Sequence, residues 1–336
     1  MCAAGLSSYD WSQGLSAAAV ASNADAAPEL VSRSPRQLAW IRFKRNKAGV
    51  LAALVTIFFI GSAFLAPVIT GLMGLDPMVT YDDMLDEYGM PVGGTGITWQ
   101  HPLGVEPGAG RDVLAMLLYG SRISFTLAII ASVSTIGLGL IIGTVVGYFR
   151  GWVDSTVGRF ADFLLAFPTT FMIVALSLPL TQRVEALGLA KDNNARIIVL
   201  ITFFTLFGWP AFSRVVRSQV LSLRERDFVM AARSQGASTS RIVFKELLPN
   251  LWSPVIVFLS LSLPGYLSSE AVFSFLGVGV QAPASTWGLV LADAINYWSQ
   301  DPVYLLIPAG MLVIVVLALN VLGDAVRDAL DPKADR

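Results

Sequence analysis

Cysteine, histidine and charged residues are scarce in this chain, and each scarcity excludes a kind of chemistry. The 336 residues include one cysteine, Cys2, and one histidine, His101. A disulfide within the chain is therefore impossible, and most metal and nucleophile sites, which need several such ligands together, are excluded. The HExxH and GxSxG patterns of metalloproteases and serine hydrolases are absent. No Gly-Lys dipeptide occurs, so the phosphate-binding loop of a P-loop ATPase is excluded too.

Apolar sequence is what the chain has in abundance. Hydrophobic residues make up 54% of it and charged residues only 14%, and the mean hydropathy is +0.64. This composition is too apolar for an average soluble protein and predicts an integral membrane protein. The net charge of −1 gives no reason to expect a nucleic-acid partner, so any positive patch must be local.

Six apolar runs predict an all-α membrane protein with six transmembrane helices. Each run has about 20 residues, the length that crosses a ~30 Å hydrocarbon core at 1.5 Å per residue. The predicted spans are Ala48–Ile69, Ile123–Phe149, Val157–Leu180, Ile197–Ser213, Ser253–Val278 and Val303–Leu322. Four prolines interrupt four of these spans and are either bends used during movement or static kinks; they are Pro168, Pro210, Pro264 and Pro308.

The distribution of positive charge predicts the orientation. Of the 23 Lys and Arg residues, 18 fall on one side of the six-helix path, which places both termini in the cytoplasm. The first 30 residues lack Lys, Arg and any unbroken apolar run, so they are not a signal peptide. We expect residues 1–35 to be a disordered cytoplasmic tail rather than a segment lipid-anchored at Cys2. The predicted divisions that follow are the basic segment and first helix (36–70), an extracytoplasmic loop (71–121), helices two to six (122–326) and a C-terminal cytoplasmic tail (327–336).

A basic amphipathic segment lies between the fourth and fifth predicted spans. Asp227 is expected to cap a short helix, Gly236 to end it in the left-handed conformation, and Ser238 to cap a second helix. Pro249 must end or bend the chain before the fifth span. The segment is therefore predicted to form a helix, a tight turn and a second helix.

One face of the first short helix is suited to docking. Phe228, Ala231, Ala232 and Gln235 fall at helical spacing, so an aromatic side chain stands beside two methyl-sized ones. Such a face fits a groove on a partner protein. Basic residues beside a membrane can also serve only orientation and lipid headgroups, and that alternative stays open.

Several residues within or beside the spans carry further predictions. Gly139, Gly143 and Gly147 form two GxxxG spacings, which predict close helix packing rather than gating. Glu270 lies inside the fifth span, where an ionisable group costs at least ~2.5 kcal/mol unless it is paired or hydrated. We expect it to bond to a neighbouring helix, with contact to substrate as the alternative.

Charged and aromatic residues near the predicted span ends carry further expectations. Arg111 and Asp112 are expected to pair locally. Arg159 and Asp162 are either interfacial charges, a pair, or a brace for the docking loop. The loop after the fifth span is expected to include a surface helix, with Trp287 and Trp298 at the membrane interface.

The docking segment also carries a family resemblance. "AARSQGASTSRIVFKELLPN" resembles the cytoplasmic "EAA" loop of permease subunits from prokaryotic ABC importers. The residues in register are Ala231, Ala232, Gly236, Leu248 and Pro249. Two positions depart from the pattern, since Met230 stands where Glu is usual and Glu246 where an apolar residue is usual.

A second stretch narrows the resemblance. "HPLGVEPGAGRDVLAMLLYGSRISF" is similar to the segment before the second helix in permeases of oligopeptide, dipeptide and nickel importers, of which the C-type peptide permease is the nearest form. The resemblance implies a type I ABC importer permease fold, with a permease core in helices two to six and a coupling loop at 222–249. It also implies a set of ATPase-coupling residues, which are Phe228, Met230, Ala231, Ala232, Gln235, Gly236 and Ala237.

The same resemblance implies partners and a location. They are a second, homologous permease, cytoplasmic ATP-binding subunits as two chains or one fused chain, an extracytoplasmic substrate-binding protein, and lipids of a prokaryotic inner membrane. ATP and Mg²⁺ are then held by the partner subunits, and this chain needs no cofactor of its own. Peptide is the expected cargo, with nickel chelates or glutathione as alternatives. An ATP-independent secondary transporter remains a rival, although no internal repeat of the kind seen in such transporters is found.

Overall fold

The computed structural model describes residues 35–149 and 151–331, and this part of the chain is helical with no β-strand. The predicted disordered tail, including Cys2, lies almost wholly outside the described residues, as do residues 332–336 of the C-terminal tail. The helices of eight or more residues are α1 (Pro35–Arg45), α2 (Lys47–Phe64), α3 (Ala66–Met73), α4 (Val113–Phe149), α5 (Trp152–Ala166), α6 (Thr169–Ala186), α7 (Asp192–Leu223), α8 (Asp227–Ser234), α9 (Trp252–Phe275), α10 (Trp287–Ala294) and α11 (Pro302–Leu330).

Five described helical segments are long and apolar enough to cross a membrane, and a sixth span results if α5 and α6 are counted together. The sequence predicted one span over Val157–Leu180, and that prediction was wrong in shape, because the chain bends by 85° between α5 and α6. Pro168 explains the bend. It lacks a backbone N–H, and the preceding residue, Phe167, is extended at ψ 137°. By contrast, Pro210, Pro264 and Pro308 lie inside continuous helices.

The bundle has two distinct ends. One end, here called the basic end, carries α1, α8 and the last residues of α4, α7 and α11; the Arg224 guanidinium donates to the Tyr148 carbonyl there, 2.9 Å away. The other, the loop end, carries the long loop 74–112 and α10. There the Asn193 amide, at the start of α7, donates to the Gln281 carbonyl after α9, 2.6 Å away. The spans therefore run alternately between these two ends.

The centre of the bundle is the long contact between α4 and α7. Helices α9 and α2 pack against α4, α11 packs against both α9 and α2, and α6 packs on α7. A cluster near the loop end is built on the indole of Trp287, which packs edge-on against Phe59 and Phe125 and donates to the Leu117 carbonyl at 3.1 Å. A short helix, α10, does follow α9, but the expectation that it lies at the surface was wrong, because none of its residues is exposed and Trp287 is fully buried. Trp298, beyond it, is exposed.

Candidate coupling surface and buried polar sites

Helix α8 is a short amphipathic helix fixed to the ends of two spans by one buried side chain. Val229 is 0% exposed and belongs to a cluster with Val220 of α7, Ile242 and Leu247. Val229 was not among the residues predicted from the sequence for this helix's contacts. The sequence does carry a signal for this role, because Val229 is an apolar β-branched residue next to Phe228. It therefore lies 100° around the helix from the face that was assigned to docking. Through Val229, α8 is packed against α7 and the segment that enters α9.

Most of the seven predicted coupling residues are exposed. Phe228 is 40% and Met230 49% exposed, and Ala231, Gln235 and Gly236 are exposed as well. Ala232 and Ala237 are half-buried, and Ala237 packs against the cluster around Val229. The chain therefore presents aromatic, thioether and methyl groups outward from a helix whose inner side is anchored. The side-chain pattern suits docking into a groove of another protein.

Glycine and serine shape the turn after α8. Gly236 has φ +75°, in the left-handed region that favours glycine, and its N–H donates to the Arg233 carbonyl while the Ala237 N–H donates to Ala232. These bonds satisfy the last carbonyls of the helix, as in a Schellman motif. The Ser238 hydroxyl accepts from the Arg241 N–H, as a cap of the next turn. Asp227 does not cap α8 as expected; it is the first helical residue, and no side-chain cap bond forms at Arg226.

The chain after this turn departs from regular α-helix before α9. A single turn, Thr239–Arg241, runs into a π-helical segment, Ile242–Leu247, and a 3₁₀ turn, Leu248–Leu251. Pro249 has no N–H to donate, which accounts for the change in hydrogen-bond pattern at that point. The predicted second helix therefore forms one continuous helical segment with α9, Thr239–Phe275, in which the helical type changes three times: from α to π, from π to 3₁₀, and back to α.

Ion pairs tie α5 to α7, the helix that leads into α8. The Arg217 guanidinium forms a bidentate ion pair with the Asp154 carboxylate, with N–O distances of 2.6 Å and 2.7 Å. Arg214 pairs with Asp162. The suggestion that Asp162 pairs with Arg159 was wrong, because α7 lies closer to that face of α5. Asp162 is itself exposed, so the expectation that Arg159 and Asp162 are interfacial charges stays a prediction. These contacts connect the bent pair α5–α6 to the helix that carries the docking segment.

The three glycines of the GxxxG spacings line the contact between α4 and α7. A Cβ at Gly139 would lie 3.1 Å from the Trp209 carbonyl oxygen, and one at Gly147 would lie 3.0 Å from that of Arg217. Gly143 is the tightest, at 2.5 Å from the Ser213 carbonyl oxygen. Small residues at this spacing let two helix backbones approach closely, which is the packing that the spacing is known for.

Glu270 is fully buried and lies between two helices. Its carboxyl accepts from the Ser124 hydroxyl of α4 at 2.6 Å and from the Ser274 hydroxyl of α9 at 2.7 Å. Each of its two oxygens therefore has a protein donor. The arrangement matches a structural bond to a neighbouring helix, and the Glu270 side chain is 0% exposed.

We expect Glu270→Ala to lower the free energy of unfolding of the assembled protein by about 2–4 kcal/mol, because two buried hydroxyls lose their acceptor and a cavity opens. Glu270→Gln keeps one acceptor oxygen and the shape, so its loss should be smaller. Thermal unfolding in detergent, followed by size-exclusion fluorescence, measures both. The matched control is Ser269→Ala, since Ser269 is only half-buried and its hydroxyl bonds to the Gly265 carbonyl of its own helix. Equal stability of Glu270→Ala and the control would show that the bonds contribute nothing.

A second buried polar cluster lies at the loop end. Arg111 makes two bonds to Glu106, at 2.5 Å and 2.8 Å, and Asp112 accepts from the Ala115 N–H and contacts His101 Nδ1 at 2.8 Å. The expected Arg111–Asp112 pair was therefore wrong, because neighbouring residues of this extended segment point in opposite directions. Instead, each side chain ties the segment before α4 to a different part of the loop.

The same cluster reaches α10 and α11. The Tyr304 hydroxyl lies 3.1 Å from Asp293 Oδ2 and 3.3 Å from Glu106 Oε1. Burial, and then the negative charge of Glu106, raise the pKa of Asp293 to about 6. The Tyr304 hydroxyl can donate to only one carboxylate at a time, and Glu106 already accepts two bonds from Arg111, so Asp293 is the carboxyl with fewer donors and the raised pKa. No sequence signal joins Glu106 to Asp293, since they are far apart in the chain.

Stability at the loop end should therefore depend on pH. Because the pKa of Asp293 is raised above its ordinary value of 3.8, the folded state binds the proton more tightly than the unfolded state. The stability that this proton supplies is present below pH ~4 and is lost as pH rises through about 6. We expect Asp293→Asn to remove this dependence and to protect the amides of the loop at pH 7.5, by roughly 1–2 kcal/mol for a partly screened group.

Hydrogen exchange of residues 80–112 between pH 5 and 7.5, corrected for the intrinsic exchange rate, measures the effect. Asp83→Asn is the matched control, because Asp83 is an exposed acid in the same loop. The groups that face Asp293 are Glu106, Arg111, Tyr297 and Tyr304, and all are retained in both variants. Unchanged pH dependence in Asp293→Asn would contradict the assignment.

Comparison with known proteins gives consistent results across the chain. Residues 136–336 match the family described as binding-protein-dependent transport system inner membrane component, and residues 34–86 match the N-terminal TM domain of oligopeptide transport permease C. The dipeptide transport system permease protein DppC of Alkalihalophilus pseudofirmus is 32% identical over 300 residues, covering 89% of this chain and 90% of that relative.

Two other relatives and one solved structure extend the comparison. The oligopeptide transport system permease protein OppC of Mycobacterium tuberculosis is 35% identical, covering 89% of this chain and 95% of its own. The glutathione transport system permease protein GsiD of Pectobacterium atrosepticum is 33% identical, covering 90% and 92%. An inward-facing structure of the MetNI methionine ABC transporter aligns with a TM-score of 0.50 at 19% identity, over 64% of this chain and 96% of that chain. That last likeness concerns the fold.

Proposed function

The chain belongs to the family of binding-protein-dependent transport system inner membrane components, as an ABC importer permease of the oligopeptide and dipeptide class, and on that premise we propose that it forms half of a peptide translocation path. It is a transport subunit and not an enzyme. Peptide is proposed as the cargo because dipeptide and oligopeptide permeases are among its relatives. The permease core is proposed to be residues 122–326.

The orientation proposed for the bundle follows its charge. The basic end carries most of the Lys and Arg residues, and positive charge beside spans favours the cytoplasmic side. Both termini and α8 then lie in the cytoplasm of a prokaryotic cell, and the loop 74–112 lies outside the inner membrane. A substrate-binding protein delivers cargo on the loop side, and a second, homologous permease completes the path.

The single observation that carries the coupling proposal is the position of α8. It is anchored by the buried Val229, exposes Phe228 and Ala231, and is packed on α7 and the entry to α9. A cytoplasmic ATP-binding subunit, present as two chains or as one fused chain, holds this helix in a groove. ATP and Mg²⁺ bind to that subunit, where hydrolysis supplies the energy. When two such subunits close, α8 moves as a rigid body and displaces α7 and α9 with it.

Transport by the reconstituted complex in vesicles tests the function. Uptake of a labelled dipeptide should require ATP on the α8 side and the substrate-binding protein on the loop side. Uptake driven by a proton or sodium gradient without ATP would instead favour a secondary transporter and reject the proposal. Competition by unlabelled tripeptide, glutathione or a nickel chelate separates the cargo classes, and glutathione is included because a glutathione permease is among the relatives. Competition by glutathione alone would show that the cargo is glutathione rather than peptides in general.

A further inference from the structure

A basic helix and an apolar groove meet at the basic end of the bundle. Helix α1, PRQLAWIRFKR, contains no acidic residue, and Lys47 follows it at the start of α2. Lys44, Arg45 and Lys47 are exposed, and the Lys44 ammonium lies 4.9 Å from the centre of the Trp40 ring. Across residues 35–149 and 151–331, no ion pair involves Arg45 or Lys47. Two cations without an ion-pair partner in the described part of the chain thus lie at the junction of α1 and α2.

The groove lies directly beside this charge. It has a volume of about 330 Å³ and lies between α1, the start of α9 and the end of α11. Its lining is apolar throughout and consists of Ala39, Trp40, Phe43, Ile256, Val326, Ala329 and Leu330. The Arg42 guanidinium donates to the Asp331 carbonyl at 2.7 Å, which holds α1 against the end of α11 and fixes the width of the groove.

A second apolar groove lies deeper in the spans. It has a volume of about 290 Å³ and lies between α2 and α11, from Ala48 and Val321 to Val55 and Ile314. The two grooves together follow α11 over residues 314–330, or ~24 Å at 1.5 Å per residue. That length exceeds the ~15 Å depth of one leaflet of the hydrocarbon core. The two grooves therefore provide apolar side chains along which an extended apolar chain can lie, from the membrane interface inward.

We propose that these features form a binding site for one anionic phospholipid. Its phosphodiester lies against Arg45 and Lys47, and an acyl chain lies in the groove under Trp40 and Phe43. The sign of the charge selects an anion, and a lining whose one polar side-chain group is the Trp40 indole N–H favours hydrocarbon for the rest of the ligand. Aromatic side chains at the headgroup level are typical of such an interface. A purely apolar protein segment in the same groove would leave the two cations without partners.

Photo-crosslinking tests the proposal on the full-length chain, purified with its accompanying subunits in lipid nanodiscs. Two probes carry a diazirine in the same acyl chain, one being phosphatidylglycerol and the other phosphatidylcholine. Peptides containing Trp40, Phe43 or Leu330 should be labelled roughly fivefold more by phosphatidylglycerol, the factor that corresponds to one basic contact near a membrane surface. The double variant Arg45→Gln, Lys47→Gln should lower phosphatidylglycerol labelling to the level of phosphatidylcholine.

The matched control removes two other exposed charges at the same end, Arg159→Gln and Arg233→Gln, and should leave labelling unchanged. Equal labelling by both probes in the wild-type protein would show an ordinary boundary lipid and overturn the site. Labelling of these peptides by neither probe would show that a protein segment fills the groove, and would overturn it as well. The wild-type comparison needs no variant to fold. Because the crosslinking measurement does not depend on ATP-driven transport, the lipid site can be rejected while the proposed function still holds.

Discussion

Gly236→Val is expected to leave the protein inserted in the membrane while lowering the peptide transported per ATP hydrolysed by roughly tenfold, the factor that corresponds to 1.4 kcal/mol lost at a docking contact. Gly236 has φ +75°, and a β-branched residue in that conformation costs about 1–3 kcal/mol. No atom lies within 4 Å of an added Cβ, so the substitution causes strain rather than a clash. The strain is relieved by reorienting the turn, and the exposed face of α8 then no longer fits its groove.

The matched control for this change is Gly188→Val at the loop end. Gly188 follows α6 with φ +69°, has open space around its Cβ, and donates to the Glu185 carbonyl while Leu189 donates to Val184. The turn is therefore of the same type as the one at Gly236, with the same cost in the folded state. Transport and ATP hydrolysis by reconstituted complexes should stay coupled in Gly188→Val. Coupling that survives at both positions would show that α8 is not the contact through which hydrolysis drives movement.

Ala232→Arg probes the same contact by volume and charge rather than by backbone strain. Ala232 is half-buried and lies four residues after Phe228, on the same face of α8. A guanidinium there would separate the helix from a groove shaped for a methyl group. We expect the same uncoupling, with hydrolysis by the ATP-binding subunits no longer stimulated by cargo. Normal cargo stimulation in this variant would place the groove elsewhere on the loop.

The length and composition of the apolar runs predicted the positions of the straight spans well. The apolar runs located α2, α4, α7, α9 and α11, although α4 begins ten residues before its run, and α7 begins five residues before its run and ends ten residues after it. The ends were missed because a helix continues into water when neighbouring helices support it, which a hydropathy window cannot detect. The bend at Pro168 was foreseen as a possibility, but its 85° angle depends on where α5 can pair with α7 through Asp154 and Arg217.

Polar contacts were predicted less well than helices, for a physical reason. The need of Glu270 for a partner could be deduced from the cost of burying a carboxyl, yet the identity of Ser124 required knowing which helix lies opposite. Arg111 and Asp112 were paired because they are adjacent, whereas an extended chain directs neighbours to opposite sides. The turn at Gly236 was predicted correctly, because left-handed helix ends depend on local sequence.

Gly143→Leu is expected to prevent the bundle from forming, and it is the substitution with the largest expected effect on folding. A Cβ at Gly143 would lie 2.5 Å from the Ser213 carbonyl oxygen and 2.7 Å from Val216 Cβ, so α4 and α7 must move apart. Overpacking in a close-packed interior costs about 1–3 kcal/mol for extra methylenes, and here the obstacle includes main chain that cannot change rotamer. The separation would also break the contacts on either side of it, at Gly139 and Gly147.

Gly137→Leu on the same helix is the matched control. Gly137 lies six residues before Gly143, and nothing is within 4 Å of its added Cβ. Leucine there gains up to about 1 kcal/mol of helix propensity over glycine without a clash. Folded yield from membranes and thermal stability in detergent should therefore fall strongly for Gly143→Leu and hold or rise slightly for Gly137→Leu. Since the two variants share chemistry, helix and hydrophobicity, a similar fall in both would mean that close approach of α4 and α7 does not hold the bundle together.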